Sequence, residues 1–157
     1  RAYQPGDERA VYVAVEEAFS DHWGHVPVPE EEGLRRIRKR IVAPDFDPAL
    51  WILAEDAGEI AGFAICRPQM PTDPESGYVD MLGVRRAWRR QGIALAMLHR
   101  AFHLFEERGQ KRVRLGVDAE NLTGATRLYT KAGMRADERE RLFEKELRPG
   151  RNLAKQD

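Results

Sequence analysis

Apolar positions recur along this chain with two different periods, and the switches between them mark its elements. From Glu8 to Phe19 the residues Val11, Val15, Ala18 and Phe19 share one helical face, with Glu16 and Glu17 outward. Asp7, closing the turn Gln4-Pro5-Gly6-Asp7, is placed to cap that helix, and Arg1 to Tyr3 before it reads as the tail of a strand. Pro29 at a helix start and Glu30 to Glu32 in its first turn predict a second helix to about Ile41, with Leu34, Ile37 and Ile41 inward. Beyond the break at Pro44 to Pro48 the period becomes that of strands. Trp51 to Glu55 and Glu59 to Arg67 form a predicted hairpin about Asp56-Ala57-Gly58, and Tyr78 to Val84 is the next strand. Ala94, Met97, Leu98, Ala101, Phe102 and Phe105 return to helical spacing in a segment running to about Arg108. Alternation of Val113, Leu115 and Val117 gives a strand over Arg112 to Asp118, Asn121 to Ala132 a short helix, and Met134 to Leu147 one or two antiparallel strands.

This order predicts an α/β protein with a mixed, mostly antiparallel sheet of six to seven strands and about four helices on both faces. The length of 157 residues suits one domain, taken as 1–148, followed by a polar C-terminal tail, 149–157. Because Arg1 is not an initiator methionine, the chain is expected to be a trimmed protein or a piece of a longer one.

Charge narrows the partners. The 26 basic and 26 acidic residues cancel, which argues against general attraction to nucleic acid or membranes. No apolar run reaches the ~18 residues of a membrane span. The single cysteine, Cys66, lies in an apolar strand and reads as a small core residue, with a reducing cytoplasm as the expected location.

Against that balanced background the connection after Val84 stands out, since it holds Arg85, Arg86, Arg89 and Arg90 and enters a helix through Gly92. A glycine at a helix mouth lets backbone N–H groups approach an anion, the helix dipole favours negative charge there, and arginines point to phosphate. A nucleotide-hydrolase loop is excluded because no Gly-Lys-Ser/Thr follows, and the dinucleotide fingerprint fails for want of its other glycines.

The register Arg89-Arg90-Gln91-Gly92-Ile93-Ala94, between a strand and a helix, resembles the (Gln/Arg)-x-x-Gly-x-(Gly/Ala) loop of the GNAT superfamily of acyl-CoA-dependent N-acyltransferases. A second stretch, Asn121 to Ala125 with Leu128-Tyr129-x-x-x-Gly133-Met134, resembles that superfamily's Asn…Ala…Leu-Tyr-x-x-x-Gly-Phe segment. Its wording, Val117-Asp118-Ala119-Glu120-Asn121-x-Thr123-Gly124-Ala125, is similar to the mycothiol-synthase-like tandem branch. The resemblance implies a GNAT fold with splayed central strands and acetyl-CoA as the acyl donor. It further implies an N-acetyltransferase that moves acetyl to a primary amine by direct transfer, the alternative being a non-catalytic acyl-CoA-binding half of a tandem protein. The expected partner is a small-molecule or peptide amine, with a homodimer or a second GNAT domain as the assembly.

By the same resemblance the backbone donors at Leu82 and Val84 would hold the acyl carbonyl and pantetheine, with a bulge consistent with Gly83. The loop Arg89, Arg90, Gln91, Gly92, Ile93, Ala94 would hold the pyrophosphate, and Asn121 the pantetheine. Asn121 lies one residue further from Tyr129 than is common, and Tyr78 stands where a glutamate is frequent. Tyr129 becomes the candidate general acid, against a structural reading as a helix tyrosine packed on the sheet. Asp80, a carboxylate in an apolar strand on the face of Tyr78, Leu82 and Val84, either binds the amine and relays its proton or pairs with Arg67 or Arg114. His22, Trp23 and His25 lie in the connection expected to shape the acceptor pocket. No metal site is expected; His99 and His103 read as an exposed helix face.

Overall fold

A computed structural model describes residues 1–22, 25–70, 72–117, 124–137, 145 and 147–148. Helix α1 spans Glu8–Phe19 and α2 Glu30–Ile41. Strands β1 (Trp51–Asp56), β2 (Glu59–Arg67) and β3 (Ser76–Val84) follow, then α3 (Ile93–Glu107), β4 (Arg112–Leu115) and α4 (Ala125–Lys131). The sheet order is β1-β2-β3-β4. The first two pairings are antiparallel, and β3 with β4 is parallel, joined across α3.

Strand alternation divides the core into two layers. Ile52, Ala64, Cys66 and Val79 face Met97, Leu98, Ala101 and Phe105 of α3, with Leu128 and Tyr129 of α4 beside them. Trp51, Leu53, Phe63 and Ile65 face Val11, Ala14 and Ala18 of α1, with Ile37 and Ile41 of α2 outside. Phe63 and Phe105 are fully buried, each a contribution of about 1.5–3 kcal/mol. Helices therefore cover both faces, as the sequence pattern predicts.

The sheet, however, has four strands among the described residues, not the six to seven expected. At the N-terminus only the Ala2–Ile52 bridge forms, because the chain turns at once, Asp7 N–H donating to Gln4 O at 3.1 Å. Asp7 occupies the N-cap position of α1 without capping it; its carboxylate instead accepts from Gln4 N–H and from the Arg1 guanidinium. Residues 134–137 form no strand, and most of the further strand segment expected up to Leu147 lies outside the described residues. β4 also stops early, since Gly116 offers no side chain to pack and Val117 is exposed.

A register shift lies between Ile65 and Cys66, whose partners are Met81 and Val79, so Asp80 is the extra residue of a bulge. The bulge resets the alternation. Val79 packs on the α3 layer, Met81 on the α1 layer, and Leu82 and Val84 return to the α3 layer. Asp80 thus does not share a simple two-residue period with Leu82 and Val84 as the sequence suggested. Gly83, where a bulge was expected, pairs regularly with Phe63, and its glycine has a steric cause. A Cβ there would stand 2.5 Å from Phe63 Cζ and 3.1 Å from Ala18 Cβ.

Candidate active site

β3 and β4 pair from Ser76–Arg112 to Val79–Leu115 and no further, while β3 continues to Val84. The strands part at Asp80. Arg85 N–H donates to Ala61 O of β2 at 2.9 Å, so by strand alternation the N–H groups of Leu82 and Val84 point to the opposite edge, the one β4 has left. Leu82 and Val84, the two strand residues singled out in the sequence, thus turn their N–H groups to this open edge.

The gap runs into the mouth of α3. After a short 3₁₀ turn over Arg86–Trp88, Arg90 adopts φ 65° and Gly92 φ 83°, both left-handed. A left-handed arginine costs about 1 kcal/mol or more and marks a loop held in a special shape. The first helical bond is Ala96 N–H to Gly92 O at 3.0 Å. The N–H groups from Arg90 to Leu95, six in a row, have no acceptor among the described residues. Concentrated donors at a helix N-terminus, with the exposed Arg90 side chain beside them, suit a pyrophosphate. Gln91, Gly92, Ile93 and Ala94 all belong to this mouth.

Arg89 is different. Its Nε donates to Val84 O at 3.1 Å, Nη2 to Ala18 O at 3.0 Å and to Asp21 Oδ1 at 2.9 Å, and Nη1 to Asp21 Oδ2. This guanidinium holds the Asp21 carboxyl well below its ordinary range, at about 2. Arg85 is likewise spent within the fold, donating to Glu17 and Glu59 and stacking over Trp88. Of the four arginines that drew attention in the sequence, two are struts.

Asp80 pairs with Arg67, Oδ2 accepting from Nη2 at 2.6 Å and Nε at 2.9 Å. Arg114 turns instead to Asp137 at 3.2 Å and Asp73 at 3.8 Å. Both Asp80 and Arg67 keep partial exposure, and Asp80 Oδ1 has no partner among the described residues. Tyr129, on α4, packs against the core layer that Leu82, Val84 and Ile93 also touch. Its hydroxyl has no partner among the described residues, and burial raises its pKa above the ordinary tyrosine value. Cys66, buried behind Asp80, is pushed up to about 12 by burial first and the Asp80 charge second, so it stays a thiol.

On the α1–α2 connection the His22 ring lies edge-on to Phe19 at 4.8 Å, and His25 Nε2 is 3.5 Å from Glu16 Oε2. Trp23 and Asn121 lie outside the described residues. Sequence reasoning missed what ties this loop down. Glu16 Oε2 accepts Val28 N–H at 3.1 Å and Tyr12 Oη donates to Val28 O at 2.7 Å. Tyr12 and Glu16, one helical turn apart, were the signal. Tyr78, marked in the sequence only for standing where a glutamate is frequent, gains a position: a Cβ at Gly116 would lie 3.3 Å from its hydroxyl, which places that hydroxyl where β3 and β4 part.

A mixed sheet that opens beside an unsatisfied helix mouth defines the acyl-CoA N-acyltransferase class of fold. The chain belongs to the Acetyltransferase (GNAT) family, whose sequence model matches residues 9–134. It is 32% identical over 139 residues to the mycothiol acetyltransferase of Thermobispora bispora, covering 85% of this chain and 45% of that one. With the mycothiol acetyltransferase of Kineococcus radiotolerans it shares 35% over 134 residues, 85% of this chain and 41% of the relative. Among solved structures, a GCN5-related N-acetyltransferase from Sphaerobacter thermophilus superposes with TM-score 0.69 at 42% identity, over 86% of this chain and 40% of that one. The aminoglycoside N-acetyltransferase AAC(6')-Iy, solved in complex with CoA, shares the fold at TM-score 0.71 and 14% identity, over 92% of each chain. The chain thus spans less than half the length of the mycothiol acetyltransferases it matches. No helix among the described residues is long and apolar enough to cross a membrane.

Proposed function

We propose that this domain is a cytoplasmic N-acetyltransferase that carries an acetyl group from acetyl-CoA, as co-substrate, to a primary amine by direct transfer. One observation carries the reading: six consecutive N–H groups at the α3 mouth have no acceptor among the described residues, and that mouth follows directly on the end of β3 that β4 has left. The mouth suits the diphosphate of CoA, and the Leu82 and Val84 N–H groups suit the pantetheine amides and thioester carbonyl. Acetyl-CoA supplies an activated acyl group on a good leaving thiolate.

The chain's own groups do the rest. The Val84 and Leu82 donors polarise the carbonyl and stabilise the oxyanion as the amine nitrogen bonds to it. Asp80 Oδ1 accepts a hydrogen bond from the incoming amine and passes its lost proton to water. Tyr129 gives its proton to the sulfur as the carbon–sulfur bond breaks, and burial keeps that proton in place at neutral pH. His22 and His25, with Trp23, line the acceptor side; Asn121 supports the pantetheine.

A second reading draws on the half-length match: the domain is the acyl-CoA-binding, non-catalytic half of a tandem protein. Titrating acetyl-CoA, then following free thiol over a panel of amines, separates the two. Binding with acceptor-dependent thiol release supports the enzyme; binding with no release on any amine favours the module, and no binding at all removes both.

A further inference from the structure

Arg89 occupies the first position of the cofactor-loop motif, yet four of its five guanidinium N–H groups are taken by the fold, and its backbone N–H donates to Arg86 O at 3.3 Å. The partners come from three places. Val84 O is on the open edge of β3, beside the N–H proposed to hold the thioester. Ala18 O belongs to the last turn of α1. Asp21 opens the α1–α2 connection, next to His22, whose N–H donates to Phe19 O at 2.9 Å. Arg86 adds a second cation, 3.7 Å from Asp21. A single fork thus spans the cofactor loop, the strand edge and the start of the acceptor loop, and a planar bidentate pair transmits orientation better than a point charge.

We propose that Arg89 is a positioning residue that couples the two substrate sites: ordering of the Arg90–Leu95 mouth by CoA fixes Arg89, which through Asp21 fixes the acceptor loop at His22. This rests on the acetyltransferase reading. Coupling of this kind is reciprocal, so the acceptor tightens CoA by the same factor as CoA tightens the acceptor.

Amide hydrogen exchange over residues 18–22, with and without CoA, tests it without an acceptor in hand. In the wild type, saturating CoA is expected to slow exchange of the Ser20 and His22 amides about fivefold or more, the lower range of typical couplings. In Asp21→Asn, which keeps size and loses charge, and in Arg89→Lys, which keeps charge and loses the fork, CoA should still protect 90–96 while the protection at 18–22 disappears. A clamp that only stabilises the fold would lower the melting temperature in both variants and leave the CoA-induced protection at 18–22 intact, which overturns the proposal. So would tighter CoA binding by Asp21→Asn, the mark of an arginine released to a phosphate. Wild type that does not bind CoA sinks the acetyltransferase reading itself; binding that leaves 18–22 unprotected sinks only the coupling.

Discussion

At the residue scale the sharpest proposal concerns Tyr129, because its hydroxyl has no partner among the described residues and its ring packs on the layer that Leu82 and Val84 also touch. If this half-buried tyrosine is the proposed acid, it acts on the leaving step and not on CoA binding. Tyr129→Phe should lower kcat by about 100-fold or more while leaving the CoA dissociation constant within about twofold. Steady-state thiol release with calorimetry of CoA binding reads both, and an unchanged kcat removes the assignment. Gly83 makes the opposite kind of claim, one about packing. Its φ is ordinary, so Gly83→Ala is costly only because Phe63 Cζ and Ala18 Cβ occupy the space. Overpacking of that kind costs about 1–3 kcal/mol, read as a lower urea midpoint at unchanged slope.

At the scale of elements, periodicity located the three long helices α1, α2 and α3, the hairpin and β3, because each buries one face against a layer whose residues repeat with the right spacing. The α3 mouth was legible for a local reason: Gly92 before an apolar helix is a feature of neighbouring residues. What escaped was non-local. Nothing near Arg89 in the chain announces Asp21, which lies 68 residues away. The Asp80 bulge shows only once β2 and β3 are set in register. The mouth can be tested as an element. Among the described residues, nothing beyond the chain neighbours lies within 4 Å of a Cβ built at Gly92 or at Gly109 past the end of α3, and both adopt positive φ. Gly92→Ala and Gly109→Ala should therefore each lose about 1–2 kcal/mol of stability from backbone strain. Only Gly92→Ala should also weaken CoA, by about tenfold, since it alone bends the row of free donors. Equal CoA affinity in the two variants would place the diphosphate elsewhere.

At the scale of the molecule, zero net charge conceals a web of pairs that pins helices, sheet and loops together: Arg1 with Asp7 and Glu55, Arg85 with Glu17 and Glu59, Arg89 with Asp21, Arg108 with Asp47. Several carboxyls are held below their ordinary range: Asp21 to about 2 by Arg89, Asp7 by Arg1, and Asp45 by Arg40. A group whose folded pKa is depressed stabilises the fold above its unfolded value, about 4, and loses that contribution as pH falls through the folded value. At the alkaline end the sign reverses. Burial raises Tyr3, which also donates to Glu8, and Tyr129, so the unfolded chain gives up these protons first and stability falls above about pH 10. As far as these groups govern it, the melting temperature should be flat from about pH 5 to 9, drop below about pH 4 and drop again above about pH 10. The pairs are partly exposed and worth up to about 1 kcal/mol each, so the acid limb is a slope of a few degrees per unit, not a cliff. Asp21→Asn should start lower at neutral pH and lose less between about pH 4 and 2 than the wild type. Scanning calorimetry over that range decides it: parallel acid limbs in the two proteins would mean that the Arg89–Asp21 fork contributes nothing to the folded state.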